Sequence, residues 1–217
     1  MASVHRMFRR EFSLAALVVR ACQADDADRA VLITEHLGLM TGLLHSHHDF
    51  EDTRMWPLLV ARVTPDDQLD VDRVASQHAD LDLVLAEVGE RLVEFRNRPG
   101  ADENDRLSDA LDRLLPTLLD HMDYEERFVV PLMQQHIGVD EWDSALTELG
   151  TGIAPEHLPL IFGMQMYEDD PQDVEHTISK MPAEIQPVIR SQAGSAYASL
   201  ATSLYGTPRP PRGPAAA

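Results

Sequence analysis

Apolar residues recur at steps of three and four along most of the first 140 positions, the periodicity of amphipathic helices. His5, Phe8, Phe12, Ala15 and Val19 mark a first helix, with Ser3 as its expected N-cap and an end near residues 24–26. A second helix is expected over residues 27–62, bending near Gly38 or Gly42. Thr64-Pro65 is a start signal, a capping hydroxyl followed by proline at the first helical position. It opens a third helix, residues 65–97, along Val71, Val74, His78, Leu81, Leu85, Val88 and Leu92. Arg98-Pro99-Gly100 breaks the pattern, and a fourth helix is expected over residues 102–136. Pro116 and Pro131 lie within it, and each removes an N–H and crowds a carbonyl, so a kink is expected at one or both. Long helices with short connections predict an all-α chain whose residues 1–138 form an antiparallel up-down-up-down four-helix bundle. Residues 139–206 read as a helical C-terminal extension of shorter segments, with breaks or kinks at Gly150, Gly152 and Gly163 and an interruption near Gly194. The Pro-rich tail, residues 207–217, is expected to be disordered.

Polar residues stand where this pattern calls for core. Residues 44–58, LHSHHDFEDTRMWPL, return as residues 118–132, LLDHMDYEERFVVPL. Both copies read Leu-x2-His-x3-Glu-[Asp/Glu]-x4-Pro-Leu. Positions seven apart come back to nearly the same helical face. Leu37, Leu44, Glu51 and Leu58 therefore form one seam, and Leu111, Leu118, Glu125 and Leu132 another, with Leu114, His121 and Phe128 beside the second. Of the three His-x3-acid pairs in HSHHDFED, only His47/Glu51 lies on the apolar stripe and matches the later copy; His48 flanks it, expected to support the metal ligands from behind or to make a helix–helix contact, and His45 faces outward. His5 precedes His47 much as His78 precedes His121, so each hairpin offers one histidine from its first helix and a His-x3-Glu pair from its second.

Two carboxylates on buried stripes are prohibitively expensive unless a cation neutralises them. Four imidazoles and two carboxylates suit a pair of metal ions, iron or manganese first and zinc next, with Glu51 and Glu125 as bridges. His5, His47, His78 and His121 complete the predicted ligand set. The ferritin-like alternative needs Glu-x-x-His, and none of the ten histidines has a glutamate three positions before it.

Composition narrows the partners. The 217 residues carry a formal net charge of −19, and Lys180 is the single lysine. That balance repels phosphate backbones and argues against nucleic acid. Cys22 is the single cysteine, so thiolate clusters and internal disulfides are out. No apolar run reaches bilayer-spanning length, which argues against membrane insertion and makes a cytoplasmic location the default expectation. The oligomeric state is not readable.

At His5 with its HRMFRREF context, His47/Glu51 followed by Asp52 and Trp56-Pro57, His78, and His121/Glu125, the chain resembles the hemerythrin-like, or HHE cation-binding, family. The resemblance covers roughly residues 1–138 and implies an antiparallel four-helix bundle around a non-haem di-iron centre, oxo- or hydroxo-bridged when oxidised. The chain departs from the oxygen carriers of that family, which have a second histidine four positions along the third helix and an aspartate late in the fourth-helix motif. Val74 and Asp82 stand four positions from His78, and Glu125 replaces the aspartate. Fewer imidazoles leave a coordination position open, or filled by the extension, where Tyr167 is the candidate additional ligand ahead of His157 and His176. The implied function is redox chemistry on a small oxidant: peroxide first (a catalase-like activity), or nitric oxide. The alternatives are reversible oxygen binding, storage or sensing, iron storage, and a structural zinc protein.

Overall fold

The structure, a computed structural model, describes residues 2–150 and 154–215. It is helical throughout, with no strand among the described residues. Among the described residues no helix is long and apolar enough to cross a membrane. The chain divides into two compact units: residues 11–147, and residues 1–10 with 148–215. The division differs from the break expected at 138/139. The first turns of helix group with the C-terminal region, and the helix after Gly138 groups with the preceding ones.

In the first unit, the later part of α1 (Ala2–Arg20) is followed by α2 (Ala27–Phe50), α3 (Trp56–Val60), α4 (Pro65–Asn97), α5 (Ala101–Tyr124), α6 (Val130–His136) and α7 (Val139–Gly150). Asp26 caps α2 by accepting the Arg29 N–H at 3.0 Å, and Thr64 caps α4 by accepting that of Asp67 at 3.2 Å. The three- and four-residue steps of α4 are all buried, from Val71 through His78 to Phe95. Buried Glu11 and His36 join α1 to α2, with Oε2 and Nε2 3.0 Å apart. On the surface, Arg62 donates to both Glu141 oxygens and to the His136 carbonyl, tying the end of α3 to α7.

α2 is continuous through Gly38 and Gly42, and α5 through Pro116. The α-helical pattern is interrupted by π-helical segments, Glu51–Met55 joining α2 to α3 and Glu125–Val129 joining α5 to α6, the second just ahead of Pro131, one of the two prolines where a disturbance was expected. Each lies just ahead of a proline, Pro57 or Pro131. A proline collides with the carbonyl four residues back and cannot donate to it. The wider turn shifts the pairing by one, so the Trp56 N–H reaches the Glu51 carbonyl and the Val130 N–H that of Glu125. One extra residue rotates everything after it by about 100°. The seven-residue seam is therefore displaced beyond each glutamate: Leu59 and Met133 are buried where Leu58 and Leu132 were expected. Phe128 is 37% exposed while Val129 is fully buried.

The second unit holds the beginning of α1, α8 (Leu158–Met166), α9 (Pro171–Lys180) and α10 (Gln186–Tyr205). Leu158, Ile178, Ile189 and Ala193 form its core. α10 passes Gly194 unbroken. It packs closely on α8, because a Cβ on Gly163 would stand 2.2 Å from the Ala193 carbonyl oxygen. Ser3 lies inside α1 rather than capping it, and its hydroxyl donates to Asp169. Gly152 lies outside the described residues. Within the Pro-rich tail the structure describes residues to 215. Pro210 is buried and its carbonyl accepts from the Tyr167 hydroxyl at 2.9 Å. A Pro-rich segment has few N–H groups to satisfy, so it can be covered at little cost once its carbonyls find donors.

Candidate metal centre

Glu51 and Glu125 each stand at the first residue of a π-segment, fully buried. His47 and His121 come one helical turn earlier on α2 and α5, and His78 comes from the buried row of α4. His47 Nε2 is 3.3 Å from Glu51 Oε1, His78 Nε2 is 3.5 Å from Glu51 Oε2, and His121 Nε2 is 3.8 Å from Glu125 Oε2. His47, Glu51 and Glu125 present ligand atoms within 4.8 Å of one another, as do His48, His78 and His121. Five of the six residues expected as ligands are thus brought together in the unit of residues 11–147. The sixth, His5, is a buried residue of α1 and belongs to the other unit.

The polar atoms here are poorly compensated by protein. Both oxygens of Glu51 and Nε2 of His78 are buried with no hydrogen-bond partner. Burial first, and then the negative charge of Glu125, push the Glu51 carboxyl well above the usual carboxylate range. Protein alone therefore favours a proton on Glu51. A cation bound among these oxygens and nitrogens removes that preference, and the donor set, imidazole and carboxylate without thiolate, fits iron or manganese.

His78 has a feature the sequence reading did not assign. Its Nδ1 is 2.9 Å from Asp52 Oδ1. A carboxylate only accepts, so Nδ1 carries the proton and Nε2 keeps its lone pair. Asp52 was legible as the acidic residue after Glu51, matched by Glu126 in the second copy, but its partner lies on another helix.

His48 is buried and stacks on His78, with ring centroids 4.1 Å apart and planes 14° apart. Ring lone pairs lie in the ring plane, and two nearly parallel stacked rings do not converge on one ion about 2 Å from each nitrogen. The His78–His121 pair, at 4.8 Å and 69°, has no such obstacle. In this arrangement His48 supports the His78 ring on one face, while Trp56 lies at 6.3 Å and 24° from the same ring. His45 is exposed, 3.5 Å from Asp82.

Tyr167, the candidate additional ligand, has its hydroxyl engaged by the Pro210 carbonyl and its ring edge-to-face with Tyr197 at 5.1 Å. His157 and His176 lie on exposed positions of the C-terminal unit.

Residues 1–133 match the family profile described as Hemerythrin HHE cation binding domain. No match was found among curated proteins or among solved structures.

Proposed function

The chain belongs to the hemerythrin HHE cation-binding domain family, and from that premise we propose that it is a non-haem di-iron protein acting on a small oxidant, peroxide first. The supporting observation is the burial of Glu51 and Glu125 among imidazoles, with both Glu51 oxygens lacking a hydrogen-bond partner. In this reading Glu51 and Glu125, with His5, His47, His78 and His121, would hold the ions, the glutamates shared between them. His5 enters on the sequence pattern and on its place inside the matched stretch. The arrangement proposed for α1, α2–α3, α4 and α5–α6 is the antiparallel four-helix bundle, supported by the short connections between them.

Two irons, when bound, would supply two electrons to one peroxide, reduced to water, and recover two from a second, oxidised to oxygen. The residues do the rest. Asp52 holds the proton on His78 Nδ1 and so directs Nε2 toward Glu51. His48 and Trp56 restrict the His78 ring. Two bridging anions favour the higher metal charge, which suits turnover of an oxidant better than reversible carriage of oxygen. The absence of the oxygen carriers' second third-helix histidine points the same way, because Val74 and Asp82 flank His78.

The test is metal content with a visible spectrum on the protein as purified, followed by peroxide consumption. Two irons per chain and catalytic loss of peroxide are expected. Reversible oxygen binding without peroxide turnover would overturn the enzyme reading, and zinc without iron-centred absorption would overturn the di-iron one.

A further inference from the structure

The unit formed by residues 1–10 and 148–215 is held together by contacts between opposite ends of the chain. Arg10 is fully buried there. It donates to Glu168 Oε1 and to the Met164 carbonyl, both at 2.7 Å. Its guanidinium carbon is 5.0 Å from the Tyr167 ring centre and 4.8 Å from that of Tyr197. One turn earlier, Arg6 Nε donates to Asp169 Oδ1 at 3.0 Å, and the Ser3 hydroxyl donates to the same carboxylate. The tail closes over this cluster. Tyr167 donates to the Pro210 carbonyl, and the Gly213 N–H donates to Glu168 Oε1 at 3.4 Å. Gly213 lies so close to Arg10 that a Cβ on it would be 2.6 Å from the Arg10 backbone nitrogen.

Residues 2–10 are about the first two and a half turns of α1, and how far such a helix end frays depends on the tertiary contacts that hold it. These ties fall at Ser3, Arg6 and Arg10, on every turn of this segment. His5 lies between the first two. A ligand on a fraying segment binds in proportion to the fraction of time the segment is ordered.

We propose that the C-terminal unit is a clamp on the first ten residues, with Arg10, Glu168 and Asp169 as positioning residues, and that metal retention through His5 depends on it. This rests on the reading of His5 as an iron ligand. The clamp gives residues 148–215 a task in the chemistry without requiring any of them to touch metal. It also gives the tail one, as the cover that keeps Arg10 and Glu168 away from competing water.

The experiment is a comparison of the full-length protein with Asp169→Asn and Glu168→Gln, each made also in a His5→Ala background. Amide hydrogen exchange of residues 2–10 and the rate of iron release to a chelator are the readouts. Exchange is expected to rise in residues 2–10 of both variants while α2, α4 and α5 keep their protection. Iron release is expected to accelerate on the order of tenfold, the usual scale for losing a supporting contact at a metal site. In the His5→Ala background neither variant accelerates release further, because the effect passes through His5. Glu168→Gln strands a buried guanidinium and risks the fold. Asp169→Asn, which pairs with the more exposed Arg6, then decides the matter. Unchanged exchange in residues 2–10 overturns the clamp, and equal acceleration without His5 overturns its route. If His5→Ala alone releases iron no faster than the parent, the ligand reading falls, and the exchange data still report on the clamp by themselves.

Discussion

His78 and Asp52 meet across two helices, Nδ1 to Oδ1 at 2.9 Å, with His78 Nε2 left 3.5 Å from a Glu51 oxygen. The contact sets the tautomer of the histidine before any metal arrives. Asp52→Ala is expected to lower metal affinity about 10- to 100-fold while leaving the helical content unchanged. Competition with a chelator of known affinity measures the first, and far-ultraviolet circular dichroism the second. An unchanged affinity would remove Asp52 from the site.

The two halves of the centre should fail together. Glu51→Ala and Glu125→Ala are each expected to abolish binding of both ions, since each glutamate is read as a bridge. Loss of metal from one variant alone would break the symmetric picture.

Glu51 also links metal to protons. Its carboxyl is raised by burial and by Glu125, so the metal-free fold prefers the protonated form. A raised value in the fold means this contribution to apo-protein stability is present at low pH and is lost as pH rises through that value. Metal uptake should release a proton and weaken as pH falls. Glu51→Gln should leave the apo-protein at least as stable as the parent, with Tm rising about 2–4 °C for each kcal/mol gained. A fall in apo-protein Tm would count against a neutral Glu51.

Register beyond the π-segments is tested by paired truncations. Leu59→Ala removes a fully buried side chain and should cost about 2–5 kcal/mol, whereas Leu58→Ala should cost clearly less. Met133→Ala against Leu132→Ala should repeat the order. The reverse order in denaturant titrations would restore the uninterrupted seven-residue seam.

Arg62 and Glu141 carry a surface prediction. Donation from Arg62, and then from the Gly138 N–H, lowers the Glu141 carboxyl to about 2. A lowered value means the pair's support for α7 is present above the ordinary carboxylate range and is lost as pH falls from about 4.5 toward 2. Arg62→Ala should raise the Glu141 titration by NMR toward its ordinary value, with little change in stability at neutral pH because the pair is exposed.

What was legible in the sequence follows from repetition along single helices. The steps of three and four placed α1, α2, α4 and α5, and Thr64-Pro65 located one start within a residue. The two His-x3-Glu copies singled out His47, Glu51, His121 and Glu125 because both members of each pair lie on one face, and α4's row added His78. Tertiary structure decided the remainder. A proline signals a disturbed helix, but whether the chain kinks or widens depends on what the following residues pack against. Here widening at Glu51 and Glu125 turned Leu59 and Met133 inward. His48 became a stacking neighbour of His78, and Asp52 its hydrogen-bond partner, through contacts between helices that no local spacing encodes. Arg10 and Glu168 are 158 positions apart, and the buried Pro210 of the tail accepts from a tyrosine 43 positions earlier. Helical faces are written locally because each turn repeats the same geometry. Pairings over such separations are fixed only when the folded chain offers one charge, or one carbonyl, its best-shielded partner.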